Sequence, residues 1–274
     1  MNLHNEIYIG AEGRESLVDF DEPFDENYND IIVFIHGYKG FKDWGAWNLM
    51  KRYFLSCNIA FCKFNLSHNG GTTEQAIDFP DLKAFSDNRY SFCLTDIKAI
   101  IDWIQSKIDI SKKAIHLVGH SRGGGLSILA ASDPRVKSVI TLASIASIES
   151  QFPKGEALDK WKEDGYFTVQ NSRTQQEMPI RYSIYEDWES NKDLLNIEET
   201  AKKLNLPALH IHGDIDESVY ITESEKLSTW TQGKLIIISN ANHTFNSYHP
   251  YEKEDMPSKL YETCILISQF IESL

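Results

Sequence analysis

Ala114-Ile115-His116-Leu117-Val118-Gly119-His120-Ser121-Arg122-Gly123-Gly124-Gly125 carries an apolar run into Gly-x-Ser-x-Gly and then into small residues with helical spacing. That order reads as a buried strand, a very tight turn and a helix. Gly119 and Gly123 leave room where strand and helix meet. Ser121 falls at the tip, where a strained backbone lifts its hydroxyl clear of the sheet. Its backbone lies at a helix N-terminus, whose free N–H groups favour negative charge. The pentapeptide alone is a weak signal, because an ordinary glycine-rich turn with a bystander serine has the same letters. The strand before it and the helix after it supply the context that the chemistry requires.

Working outward, the same strand-then-turn pattern recurs. Ile31-Ile32-Val33-Phe34-Ile35 is a continuous apolar run, typical of a strand covered on both faces, and it ends in His36-Gly37-Tyr38-Lys39-Gly40. The glycines let the backbone pass close to a reacting centre, which makes the Tyr38 N–H a candidate donor to an oxyanion. Ile59–Asn65 is a further strand and runs into a turn-rich loop with His68 and Asn69, whose polarity an ordinary loop also explains. Val136–Ala143, Pro207–Ile211 and Lys234–Ile238 are later strands. Helices are expected over Trp44–Phe54, Ser91–Ile108, Asp193–Leu204, Ile221–Trp230 and Pro257–Leu274, and a short hairpin over Ile7–Ile9 and Ser16–Phe20. Steady alternation of strand and helix predicts an α/β fold with a mostly parallel central sheet and helices on both faces.

With 274 residues, 42% hydrophobic, the chain suits one large domain, taken here as residues 1–274. The alternation breaks from about 145 to 192. Two strands, Tyr166–Gln170 and Ile180–Tyr185, are expected there around a polar stretch, in a segment rich in aromatic and acidic residues. A long excursion of this kind is usually a lid over a site, the alternative being a structural flap with no substrate contact. Its Tyr166, Tyr182 and Tyr185, with Trp44 near the first glycine loop, are the tentative substrate-binding residues.

The net charge of -13 argues against a nucleic-acid partner or an anionic membrane surface. The N-terminus lacks the pattern of a signal peptide, and no apolar run approaches a membrane span. Cys57, Cys62, Cys93 and Cys264 are scattered, as free thiols in a reducing cytoplasm would be, and give no zinc-binding pattern. His210 and His212 share one strand face but have no third ligand at suitable spacing, so neither metal nor cofactor is expected.

Three chemically matched groups remain, Ser121, an aspartate after a late strand and His243 after the last strand. Each lies just beyond the C-terminal end of a predicted strand, and in an open parallel sheet those ends form one rim where ligands bind. The set His36-Gly37, Gly119-His120-Ser121-Arg122-Gly123, His212-Gly213-x-x-Asp216-x-x-Val219 and Asn242-His243-x-Phe245 resembles the α/β-hydrolase family over nearly the whole chain. Within that family it is similar to small carboxylesterases of the cinnamoyl (feruloyl) esterase and dienelactone-hydrolase-like kind. The resemblance implies Ser121 as nucleophile, His243 as general base and Asp216 as orienting acid, with the backbone N–H groups of Tyr38 and Arg122 as oxyanion hole. It departs from many relatives in the loop at Asn65–Gly71.

The chemistry asks for the same parts. A serine hydroxyl needs an adjacent base, and histidine, with a reference pKa of about 6.5, can take and return a proton near neutrality. The expected activity is hydrolysis of a small-molecule carboxylic ester. An aminopeptidase, suggested by the acidic insertion, is the rival within the fold. A thioesterase or acyltransferase and a non-catalytic binding protein complete the alternatives. Oligomeric state has no signature in the sequence.

Overall fold

The computed structural model describes residues 1–25 and 27–274. In chain order its elements begin with β1 (Asn2–Ile9), β2 (Glu15–Asp21), β3 (Asp30–Ile35), α1 (Trp47–Ser56), β4 (Ala60–Phe64), α2 (Leu82–Asp87) and α3 (Tyr90–Lys107). They continue with β5 (Ala114–His120), α4 (Arg122–Ala130), β6 (Val136–Leu142), α5 (Glu156–Asp164), β7 (Tyr166–Gln170) and β8 (Glu177–Arg181). The chain closes with α6 (Ser183–Ser190), α7 (Ile197–Lys202), β9 (Ala208–Gly213), α8 (Ile221–Thr231), β10 (Lys234–Ile238) and α9 (Ser258–Glu272).

Eight strands form one sheet in the order β1-β2-β4-β3-β5-β6-β9-β10. Both pairings of β2, with β1 and with β4, are antiparallel, whereas the five pairings from β4 to β10 are parallel. Alternate residues feed two cores. Ile31, Val33, Ile115 and Leu117 pack on the α3 isoleucines Ile97, Ile100, Ile101 and Ile104. Ile32, Phe34, Val118 and Ile211 pack on α1 through Trp47 and Met50, and on α9 through Leu260 and Ile267. Burial on both faces is why the inner strands read as unbroken apolar runs.

Register fixes the site. Ile35 pairs with Gly119, Gly119 with Thr141, and Gly213 with Ile238. The segments after β3, β5, β9 and β10 therefore leave the sheet at one edge.

Between β6 and β9 the structure departs from the expectation twice. The helix expected over Asp193–Leu204 forms only over Ile197–Lys202, where the Asn196 side chain caps it. The second strand of the ribbon stops at Arg181, and Ser183–Ser190 is a helix, where a strand was expected through Tyr185. The alternating Ile180, Tyr182 and Ile184 satisfy a helix equally well, because Ile184 and Trp188 are one turn apart on a buried face. Tyr182 and Tyr185 then stack on each other with centroids 5.3 Å apart.

One feature of the fold has no apolar explanation. Lys63 lies in the middle of β4 with its side chain 1% exposed. Its ammonium bonds Asp19 at 2.6 Å and also Asp43, while Lys42 bonds Asp19 at 2.9 Å and Asp43 at 2.6 Å. This quartet ties β2 and β4 to the loop after β3. Burial by itself would raise the carboxyl of Asp43, but the Lys63 and Lys42 ammonium groups outweigh it and bring it from an ordinary 3.8 down to about 2. Asp19 is lowered in the same way, burial being outweighed chiefly by Lys63.

Depressed carboxyls contribute stability that is present above their unfolded value and lost as pH falls through the folded one. Stability from this quartet is therefore full above about pH 4 and falls away towards about pH 2. Lys63→Met keeps the buried stem but leaves two carboxylates sharing the single ammonium of Lys42, so urea unfolding should reveal a loss of about 3 kcal/mol at neutral pH. The variant should also lose less on acidification than the parent. Unfolding midpoints that match the parent at both pH 7 and pH 3 would show that the quartet contributes nothing.

Candidate active site

Ser121 caps α4 with φ 56° and ψ -120°, a conformation that side chains other than glycine rarely adopt. Two near-contacts hold it there. A Cβ added at Gly119 would lie 2.1 Å from the Gly123 carbonyl oxygen, and one at Gly123 would lie 2.2 Å from that of Ile35. The Ser121 N–H donates to the Leu142 carbonyl at 2.8 Å, which ties the tip to β6. Its hydroxyl faces a cavity and has no protein hydrogen-bond partner among the described residues.

The loop after β3 passes over this turn. A Cβ at Gly37 would come within 3.0 Å of Ser121 Cβ. His36 locks the loop. Its Nδ1–H donates to the Gly37 carbonyl at 2.9 Å, and its Nε2 accepts the Leu66 N–H at 3.1 Å. Both bonds need a neutral ring, and burial pushes the imidazole down to about 4. The Tyr38 and Arg122 N–H groups have no protein acceptor among the described residues, so both are available to an oxyanion.

On the far side of the turn, His243 Nδ1 lies 2.7 Å from Asp216 Oδ2. The same oxygen lies 3.1 Å from His212 Nε2, and Asp216 Oδ1 accepts the N–H groups of Ser218 and Val219 at 2.8 and 3.0 Å. Burial works against the charge on Asp216, but the hydrogen bonds from His212 and His243 prevail and hold its carboxyl well below the usual range. Asp214 is occupied elsewhere, accepting the Asn240 N–H at 2.6 Å and the Ser239 hydroxyl at 3.1 Å. His120 donates from Nε2 to the His243 carbonyl at 2.8 Å. Burial, then the nearby His243, lowers its pKa to about 3, so it is a neutral prop.

Ser121 and His243 line two cavities. The first, about 580 Å³, also touches Tyr38, Tyr90, Arg122, Phe152, Trp161, Phe167, Val169 and Ile180. The second, about 510 Å³, adds Lys39, Trp44, Trp47, Arg173 and His249.

Trp44 therefore does face the site, while the three insertion tyrosines do not line either cavity. Tyr166 is 54% exposed, because alternation in β7 turns Phe167 and Val169 inward in its place. Tyr182 and Tyr185 stand one layer back, packing edge-on against Trp161 and Phe152 at 5.3 and 5.2 Å. The insertion's acids are absent from both linings as well. Asp187 accepts the Ser91 N–H at 3.1 Å and the Ser91 hydroxyl. His210 and His212 are held by hydroxyls, His210 by Thr141 and Thr231 and His212 by Ser224. No cluster able to hold a metal occurs among the described residues.

The sheet order, the strained serine turn and the flanking loops define an α/β-hydrolase-type architecture, and the model of the alpha/beta hydrolase fold matches residues 30–175. The chain belongs to that family. It is similar in structure to Est1E from Butyrivibrio proteoclasticus, at 20% identity with 97% of each chain covered and a TM-score of 0.72. It is similar to dienelactone hydrolase from Anabaena variabilis, at 15% identity, covering 100% of this chain and 97% of that one, with a TM-score of 0.64. Alpha/beta hydrolase domain-containing protein 10 from mouse aligns at 18% identity over 98% of both chains, with a TM-score of 0.66. At these identities the likeness is one of fold. No curated protein matches the sequence.

The packing of the turn leads to a direct comparison. Gly123→Ala should cost about 3 kcal/mol or prevent folding, because its methyl meets backbone on a packed side. Gly155→Ala, at φ 58° with nothing within 4 Å, should cost about 1 kcal/mol of backbone strain. Equal thermal shifts for the two variants would contradict the close approach.

Proposed function

We propose that the protein is a serine hydrolase that cleaves carboxylic esters through an acyl-enzyme. The observation that carries this reading is the Asp216–His243 pair at 2.7 Å beside a strained, unpartnered serine on the same cavity wall. Ser121 Oγ attacks the ester carbonyl and passes its proton to His243 Nε2. Asp216 holds the Nδ1 proton in place and stabilises the imidazolium. The Tyr38 and Arg122 N–H groups bind the oxyanion, and losing one such donor typically costs about 3 kcal/mol of barrier. Collapse expels the alcohol with the proton from His243, and water repeats the sequence on the acyl-serine.

The apolar, aromatic wall of the larger cavity favours an aryl or medium-length acyl group. Ferulic acid has been seen bound to Est1E, the feature of that neighbour most in keeping with this wall. The aminopeptidase alternative loses its motive, since no acid of the insertion reaches either cavity to grip an ammonium. We read residues 1–274 as one domain with 145–192 as lid. The four unbridged cysteines fit a cytoplasmic location.

A fluorophosphonate probe should label the parent and leave Ser121→Ala unlabelled; equal labelling of both would reject the nucleophile. Asp216→Asn should lower turnover on the order of 10⁴-fold. Asp214→Asn should act on stability and leave turnover within about tenfold, since its contacts are with the turn after β10. A larger loss at Asp214 would reassign the acid.

A further inference from the structure

The charge of the larger cavity is at odds with that of the chain. The protein carries -13 overall, yet no aspartate or glutamate among the described residues lines this cavity. Among those residues its one permanently charged lining group is Arg122. The guanidinium lies 4.4 Å from the ring centre of Tyr38 and 4.9 Å from that of Tyr90. Among the described residues two phenol rings flank it, and no carboxylate. Tyr90 is 1% exposed and meets Phe152 edge-on at 6.3 Å, so the ring beneath the cation is itself held in place.

Cation–π contacts fix the position of the guanidinium, and a hydrogen bond towards the Tyr90 hydroxyl occupies one of its five N–H groups, which leaves the rest of the fork for a ligand. A charge among apolar walls is costly until an opposite charge meets it. The adjacent residue is Ser121, and neighbouring Cα atoms are about 3.8 Å apart. Both residues line this cavity, so one small molecule can present an anion to the fork and a carbonyl to the serine.

We propose that the Arg122 side chain recognises a free carboxylate on the substrate. The enzyme then acts on esters that carry a second, ionised carboxyl group, such as half-esters of dicarboxylic acids. This rests on the hydrolase reading above. A carboxylate suits the site better than a phosphate, because one planar fork matches two oxygens and one charge, whereas a dianion would remain half unpaired against the aromatic wall. Residue 122 thereby has two roles, its N–H at the oxyanion and its side chain in specificity.

The second cavity also contains cations, but both are engaged. Arg173 is paired with Asp78, and Lys39 Nζ donates to the Gln170 carbonyl at 3.2 Å. Lys39 is the control.

The test compares the 4-nitrophenyl half-ester of terephthalic acid with its neutral counterpart, 4-nitrophenyl 4-acetylbenzoate, by kcat/KM. The parent should prefer the charged ester about tenfold to a hundredfold, the usual scale of a charge-assisted hydrogen bond. Arg122→Gln should bring the ratio to about one or below, Arg122→Lys should fall between, and Lys39→Gln should leave it at the parent value. Taking a ratio cancels any general effect of the substitutions on the serine turn. A ratio unchanged in Arg122→Gln, a parent preference for the neutral ester, or a ratio that moves only in Lys39→Gln would overturn the proposal. Should the parent hydrolyse neither ester faster than Ser121→Ala, the hydrolase reading fails on its own. Calorimetric binding of monomethyl terephthalate then decides the subsite: tighter binding to the parent than to Arg122→Gln supports it, and equal binding rejects it.

Discussion

The site depends on one close approach. Helix α4 comes so near to β5 that Gly119 has no space for a methyl group, and so near to the end of β3 that Gly123 has none, and Ser121 has a positive φ between them. Such strain persists only where the surroundings over-determine it. Here the surroundings are the carbonyls of Ile35 and Gly123 and the hydrogen bond to Leu142. The same packing puts the loop after β3 against the serine, so the two available N–H groups and the hydroxyl are positioned by one set of contacts.

Around this turn, charge is arranged at two levels. Between β2, β4 and the loop after β3, the buried Lys42 and Lys63 neutralise the buried Asp19 and the partly exposed Asp43. Beside the serine, Asp216 keeps its negative charge because four protein donors surround it. His36 and His120 are kept neutral by burial and act as hydrogen-bonded struts. Three histidines close to one serine thus have separate duties, set by burial and partners.

The sheet was legible because inner strands covered on both faces leave continuous apolar runs, and each run here ends in glycine or a polar turn. That Ser121, Asp216 and His243 leave the sheet at one edge was legible because a parallel sheet sends such ends to one rim. Side-chain direction was harder to read. Which of Tyr166 and Phe167 faces inward depends on the register of a two-stranded ribbon, and periodicity does not separate Ile180–Tyr185 as strand from the start of α6. The ion quartet had one visible trace, a lysine inside Ala60-Phe61-Cys62-Lys63-Phe64, whose partners lie far away in sequence. The Arg122 side chain left no trace, because the motif fixes only the backbone at that position.

That last point has an evolutionary side. Every residue except proline brings an N–H to position 122. Drift there can therefore remove, reverse or reshape the charge beside the serine without deleting the donor. In a lineage built on this turn, a single substitution can thus change the charge of the cavity while the backbone donor stays in place.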